Sequence, residues 1–88
     1  GAQLTVTATA SSLADLGFTV PATAKYVQVQ VQANAIRFTF DGTAPTASVG
    51  FRSESGLSPF YWSRAEALVV EIIEEATGSK LQVQGMGH

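Results

Sequence analysis

The sequence contains no cysteine, and its one histidine is the last of the 88 residues. The missing cysteines exclude disulfides, thiolate nucleophiles and cysteine-based metal sites, and imidazole chemistry has little support. Charged residues make up 14 % of the chain, whereas an ordinary soluble domain carries about 25 %. No apolar run approaches the ~20 residues that span a bilayer, so we expect no membrane partner.

The few charges that are present are slightly acidic in balance. Five Lys and Arg against seven Asp and Glu give a net charge of −2, which provides no basic field to hold nucleic acid. The one carboxylate cluster, Glu71, Glu74 and Glu75, stands beside a Thr-Gly-Ser turn, where solvated charge is expected. Segment 41–43 lacks the acidic ladder of a calcium loop and predicts a plain turn. We therefore predict a protein that is not an enzyme and that binds no cofactor or metal.

Alternation of apolar and polar residues dominates the chain and predicts β-strands. The clearest strand covers residues 25–33. One of its faces would carry Val27, Val29, Val31 and Ala33, and the other Tyr26, Gln28, Gln30 and Gln32. A second inward row, Ile36, Phe38 and Phe40, follows a tight turn at Asn34, which predicts a hairpin at this point. Near the end of the chain, Leu81 and Val83 are expected to face inward and Gln82 and Gln84 outward.

Residues 63–78 combine two conflicting signals. Ser63 and Glu66 have the spacing of a capping box, and apolar residues follow at helical intervals. The β-branched pairs 69–70 and 72–73 favour a strand instead. We expect one helical turn over residues 64–67 and then a strand over residues 68–74. The whole chain, residues 1–88, is predicted to form one all-β domain, a small β-sandwich or jelly-roll-like barrel of seven to eight short antiparallel strands with at most one helical turn.

Two clusters are candidates for contact with another protein. The first is the aromatic run Phe60-Tyr61-Trp62 with Arg52 and Arg64, because aromatic residues and arginine are enriched at interface hot spots. For Phe60 and Trp62 themselves, the favoured interpretation is that they belong to the core, with Tyr61 half exposed. The second cluster is the glutamine row 28, 30 and 32, which is either a contact surface or a solvated sheet face. Uncharged polar residues lose less on desolvation than Lys or Glu, which favours the contact surface.

Within this pattern, one stretch resembles a known group of proteins. The sequences KYVQVQ at residues 25–30 and IRFTFDGTAPTASVG at residues 36–50 resemble small structural proteins encoded among the virion genes of tailed bacteriophages. Residues 68–84 fit the same pattern, so the resemblance extends roughly over residues 19–84. It implies a β-sandwich that binds other virion proteins, commonly as a trimer at a capsid symmetry axis. Arg37 matches the basic position of that pattern, and no catalytic residue is implied.

The predicted function is therefore that of a structural virion protein, which decorates and stabilises a bacteriophage capsid in the manner of a cement protein. Its partners would be the major capsid protein or other virion proteins, together with further copies of itself, a trimer being favoured. It would be made in the host cytoplasm and reside on the capsid surface. The predicted contact residues are Gln28, Gln30, Gln32, Arg37, Arg52, Tyr61, Trp62 and Arg64. Two alternatives stay open: a carbohydrate- or receptor-binding module that uses Arg52, Tyr61 and Trp62, and a head–tail connecting protein.

Overall fold

The computed structural model describes residues 2–87 and confirms an all-β fold. Seven strands and one short helix form two antiparallel sheets packed face to face. The strands are β1 (Ala2–Thr5), β2 (Tyr26–Ala33), β3 (Ala35–Thr39), β4 (Phe51–Glu54), β5 (Phe60–Ser63), β6 (Glu71–Glu74) and β7 (Lys80–Met86). Helix α1 (Arg64–Val69) lies between β5 and β6. No helix among these residues has the length and apolarity needed to cross a membrane.

The larger sheet has the order β1-β7-β2-β5, and the smaller sheet has the order β4-β3-β6. Strands β2 and β7 form the centre of the larger sheet, and their alternation is the predicted one. Val27, Val29, Leu81 and Val83 are fully buried between the sheets, where they contact inward residues of the smaller sheet such as Ile36. A single core therefore fills the space between the two layers, as period-2 patterning requires.

The hairpin predicted at Asn34 is wrong. Strands β2 and β3 follow each other in the chain, but they belong to different sheets. Asn34 has a φ of 57°, and its side-chain amide donates to the Thr77 carbonyl oxygen at 2.8 Å. Ala35 and Ile36, directly after it, are both buried. Asn34 is thus a corner at which the chain crosses over the core, and a left-handed residue serves a corner as well as a hairpin turn.

The helix begins at the predicted residue and extends past the predicted end. The Ser63 side chain accepts from the Glu66 amide, and the Glu66 carboxylate accepts from the Ser63 amide, which completes the capping box. The helix reaches Val69 instead of Ala67, and the extended Val70 ends it. The helix-propensity cost of valine is below about 1 kcal/mol, which is too small to end the helix before Val69.

The two sheets differ in how their edges are finished. The outer edge of β6 is covered by residues 7–11: Ser11 and Ile72 exchange two backbone hydrogen bonds, and the Glu74 amide donates to the Thr7 carbonyl oxygen. Strand β4 is the opposite edge of the same sheet, and β5 is an edge of the larger sheet. In space, most of the aromatic side chains lie between these two edge strands.

Candidate protein-interaction surfaces

The outward face of the larger sheet is a field of glutamines, which we call the glutamine face. Its register places Gln28 opposite Gln84 and Gln30 opposite Gln82, with Gln82 also opposite Gln3. The Gln3 side-chain amide donates to the Gln32 side-chain oxygen at 2.9 Å. The glutamine face therefore consists of six side chains: Gln3, Gln28, Gln30, Gln32, Gln82 and Gln84.

Two tyrosines extend the glutamine face toward β5. Tyr61 lies opposite Gln28, whose side-chain amide donates to the Tyr61 hydroxyl at 3.4 Å. The rings of Tyr26 and Tyr61 meet edge to face with 5.4 Å between their centroids. Among the strand residues that point outward from this sheet, Lys80 alone is charged, and its ammonium donates to the Thr5 hydroxyl. The face is thus polar, almost uncharged and bordered by aromatic side chains.

An aromatic depression of about 370 Å³ lies at the open side of the sandwich, between β4 and β5. Phe38 is its hub, because its ring packs within 6 Å of every other aromatic ring in the cluster except that of Tyr61. The aromatic residues that line the depression are Phe38, Phe40, Phe51, Phe60, Tyr61 and Trp62. Phe51 is 66 % exposed, which is exceptional for a phenylalanine and marks this side as a surface with unburied apolar area.

The structure settles which members of the aromatic run face inward. Trp62 is 2 % exposed and packs on Phe38 with 5.2 Å between ring centroids, and Phe60 is half-buried beside it. Tyr61 points the other way and is 56 % exposed. The burial of Trp62 corrects the expectation that it contacts a partner or stacks on a sugar, because a side chain at an inward strand position offers no free ring face. Tyr61 remains available.

The predicted contact residues Arg37 and Arg52 are both held by Glu75. The two arginines lie directly opposite each other on β3 and β4, an arrangement that is repulsive without a counter-charge. Glu75 supplies it, with its carboxylate 2.5 Å from Arg52 Nε and 3.7 Å from Arg37 Nε. Arg52 also donates to Glu54 at 3.0 Å. Hydrogen bonds to Glu75 and Glu54 raise the pKa of Arg52 above its usual value.

The third predicted arginine, Arg64, has a structural role. Its guanidinium donates to the carbonyl oxygens of Pro21 and Ala24 and so ties the loop before β2 to the start of helix α1. The side chain is half-buried. Arg37 is half-buried as well, and its Nη1 donates to the Gly50 carbonyl oxygen at 3.2 Å. Arg52, in contrast, keeps 41 % of its side chain exposed at the outer edge of β4.

The predicted turn at residues 41–43 and the predicted carboxylate cluster have different outcomes in the structure. Asp41 accepts from the Thr43 amide at 3.0 Å, which closes a side-chain turn in an exposed segment, as expected for a plain turn. The solvated carboxylate cluster is not found as predicted: Glu75 binds the two arginines, and Glu71 and Glu74 are half-buried. Within residues 2–87, no three His, Cys, Asp or Glu side chains come together in a way that could hold a metal ion.

Half of the glutamine face and the exposure of Phe51 are not evident from the sequence. Alternation points Gln82 and Gln84 outward, but it does not show that β7 lies next to β2. The signal was present, since LQVQ at residues 81–84 repeats the alternation of β2. For Phe51 no signal existed, because alternation predicts a side chain's face and not whether the opposite sheet reaches far enough to cover it.

Comparison with known proteins identifies no relative: no family model matches the chain, and neither the curated proteins nor the solved structures contain a significant match.

Proposed function

We propose that this chain is a structural virion protein that decorates and stabilises a bacteriophage capsid by binding capsid subunits. Two lines support the proposal. The sequence resemblance described for residues 19–84 supports the virion setting. The glutamine face supports protein binding, and it is the observation that carries the proposal: an extended sheet surface has six glutamines, two tyrosines and one lysine where a solvated face would carry several charges.

The chemistry of this face suits burial against another protein. Glutamine amides both donate and accept, so they can re-pair with backbone or side-chain groups of a partner after losing water. Burying an amide without complete pairing costs far less than burying a lysine or glutamate. Tyr26 and Tyr61 add aromatic area at the border of the face, and tyrosine is one of the residues most often found at binding hot spots.

Stabilisation of a capsid would then be geometric. Each bound copy would bridge neighbouring subunits and contribute hydrogen bonds and apolar area that are absent from the undecorated shell. Because a capsid presents the same site many times, modest contacts at each site sum to a large resistance against internal pressure.

The test is to compare particles with and without this chain. Decorated particles should withstand heating or low salt better, and electron microscopy should place the glutamine face against the shell. Equal stability together with no binding of the purified chain to capsids would reject the proposal, and density at the head–tail junction would favour the connector alternative.

The variant Gln30→Glu tests the face itself. Gln30 lies at the middle of the glutamine face, and glutamate has the same shape with one added negative charge. We expect this variant to fold normally and to bind its partner at least tenfold more weakly, since an unpaired buried carboxylate costs well over the ~1.4 kcal/mol that corresponds to a factor of ten. Binding can be measured by co-sedimentation with capsids.

The control for Gln30→Glu is Ala47→Glu. This substitution adds the same charge in an exposed turn between β3 and β4, away from the larger sheet. It should leave binding unchanged. Equal loss of binding in the two variants would point to net charge instead of the glutamine face, and no loss in either would identify the face as merely solvated.

A carbohydrate-binding function has one specific observation in its favour, the exposed Tyr61 ring beside the aromatic depression. Sugars stack on such rings, but with Trp62 buried the platform would consist of one tyrosine and the exposed edge of Phe51. If this function holds, Tyr61→Ala should abolish binding on a glycan array that the parent chain recognises. A parent chain that binds no glycan on the array removes this candidate.

A further inference from the structure

The free edge of β4 has hydrogen-bonding groups without partners in the described chain. The Ser55 amide donates to the Asn34 carbonyl oxygen at 2.9 Å, and these two residues flank the opposed pair Ala35 and Glu54. In an antiparallel ladder, this makes Ala35–Glu54 a pair that exchanges no hydrogen bonds, and by alternation Arg37–Arg52 is another. The N–H and C=O groups of Arg52 and Glu54 consequently point away from β3, toward solvent.

The other two free edges are less suited to pairing. On β5, Pro59 has no N–H group just before the strand, and the Ser63 amide is already bonded to the Glu66 carboxylate, so Tyr61 alone retains both of its groups. The outer edge of β1 carries no charged side chain, so charge sets no register there. Edge β4 combines two open residues, two opposite charges and the 66 % exposed ring of Phe51. Exposed edges of this kind are templates for another strand.

We propose that the β4 edge binds the β4 edge of a second copy of this chain, antiparallel and across a twofold axis at Ser53. The occupant and the register follow from charge complementarity. In a twofold pairing centred on Ser53, Arg52 of each copy lies directly opposite Glu54 of the other, and the two open residues of each edge supply four backbone hydrogen bonds. The two other twofold registers that use the open groups place Arg52 opposite Arg52 or Glu54 opposite Glu54, which is repulsive.

The side chains fit this register. Ser53 is buried and points into the sandwich, so Arg52 and Glu54 stand on the outer face of the smaller sheet, where side chains of paired strands meet. Arg52 uses Nε for Glu75 and Nη1 for its own Glu54, which leaves its second terminal nitrogen free to reach the Glu54 of the other copy. The pairing joins two three-stranded sheets into one of six strands. It predicts a dimer, in place of the trimer that the resemblance favours, and it does not depend on binding to a capsid.

The test exploits the charge pattern in two variants, Glu54→Arg and Arg52→Glu. Each alone puts like charges opposite each other in the proposed register, so each should be monomeric. Mixed in equal amounts they place Arg opposite Glu at both pairs again, so the mixture should form heterodimers. Sedimentation equilibrium up to about 1 mM, which detects dissociation constants in the micromolar range, measures all three samples and the parent chain. The control is Asp41→Arg, which makes the same charge change as Glu54→Arg but in an exposed turn, and it should dimerise like the parent.

A second measurement protects the test against misfolding of Arg52→Glu, which also loses its bond to Glu75. Glu54→Pro removes one outward N–H that the fold does not use, so it should fold and remain monomeric. In the parent chain, amide hydrogen exchange of Arg52 and Glu54 should slow as concentration rises, while that of Tyr61 should not. A parent chain that is monomeric at about 1 mM, or variants that dimerise as well as the parent, would overturn the proposal.

Discussion

Replacing Trp62 with alanine should lower the free energy of unfolding by about 3–5 kcal/mol, the usual cost of removing a buried aromatic side chain. The Trp62 ring is 2 % exposed and meets Phe38, Phe40 and Phe60 with centroid distances between 5.2 and 6.0 Å. A domain of this size has about 5–15 kcal/mol of stability in total, so a large fraction would be lost. Urea denaturation followed by circular dichroism measures the change.

The control is the adjacent residue in the same strand. Tyr61→Ala removes an exposed ring whose main intramolecular contact is the edge-to-face packing on Tyr26, worth about 0.5–1.5 kcal/mol. If Trp62→Ala unfolds the chain completely, Trp62→Phe should still fold, because it retains an aromatic ring against Phe38. Equal losses for Trp62→Ala and Tyr61→Ala would contradict the inward orientation of Trp62.

The second large effect is expected at Gly50, the last residue of the DGTAPTASVG segment. Its φ is +123°, a region that residues with a side chain rarely adopt. A Cβ atom there would lie 3.1 Å from the Phe38 carbonyl oxygen and 3.3 Å from Pro45 Cβ. Gly50→Ala should therefore cost about 2–6 kcal/mol, since backbone strain and crowding in a packed site each cost about 1–3 kcal/mol.

Gly42→Ala separates these two contributions. Gly42 also has a positive φ, +84°, but a Cβ atom added there meets nothing within 4 Å. It should cost only the backbone preference, about 1–2 kcal/mol. Thermal unfolding of the two variants gives the comparison. A Gly50→Ala variant no less stable than Gly42→Ala would show that the turn before β4 can shift, and would weaken the assignment of Phe51 to a fixed position at the depression.

The parts of the fold that were predictable from sequence are those in which one residue pattern has one physical solution. The β2 pattern permits a single orientation, because a slip by one residue would bury glutamines in place of Val27 and Val29. The capping box at Ser63 and Glu66 likewise predicts where helix α1 begins. Asn34 has two solutions, a hairpin turn or a corner, and the choice depends on Thr77, a residue 43 positions away. The residues around Asn34 therefore do not predict that contact.

The interaction surfaces show the same division. The outward glutamines of β2 were predictable from alternation, and their neighbours on β7 became visible only with the strand order. Arg37 is a predicted contact residue because it matches the basic position of the resemblance, and Arg64 because arginine is enriched at interfaces. Neither reason reveals that Arg37 donates to the Gly50 carbonyl oxygen, or that Arg64 donates to those of Pro21 and Ala24. Sequence shows which side chains could bind a partner, and the fold decides which of them are still free to do so.

The strand order also determines how early during synthesis the larger sheet can fold. Ala2 pairs with Val83, and β7 separates β1 from β2 at the centre of the larger sheet. During synthesis β1 therefore has no ladder partner until residues 80–86 have emerged, and β2 has only the short β5. The larger sheet therefore cannot form until β7 has been made, and pairings this distant in sequence form slowly, on the millisecond-to-second scale of other sandwiches. In that interval the apolar rows of β1 and β2 are exposed, and the uncharged glutamines beside them give little electrostatic protection against association with other unfinished chains.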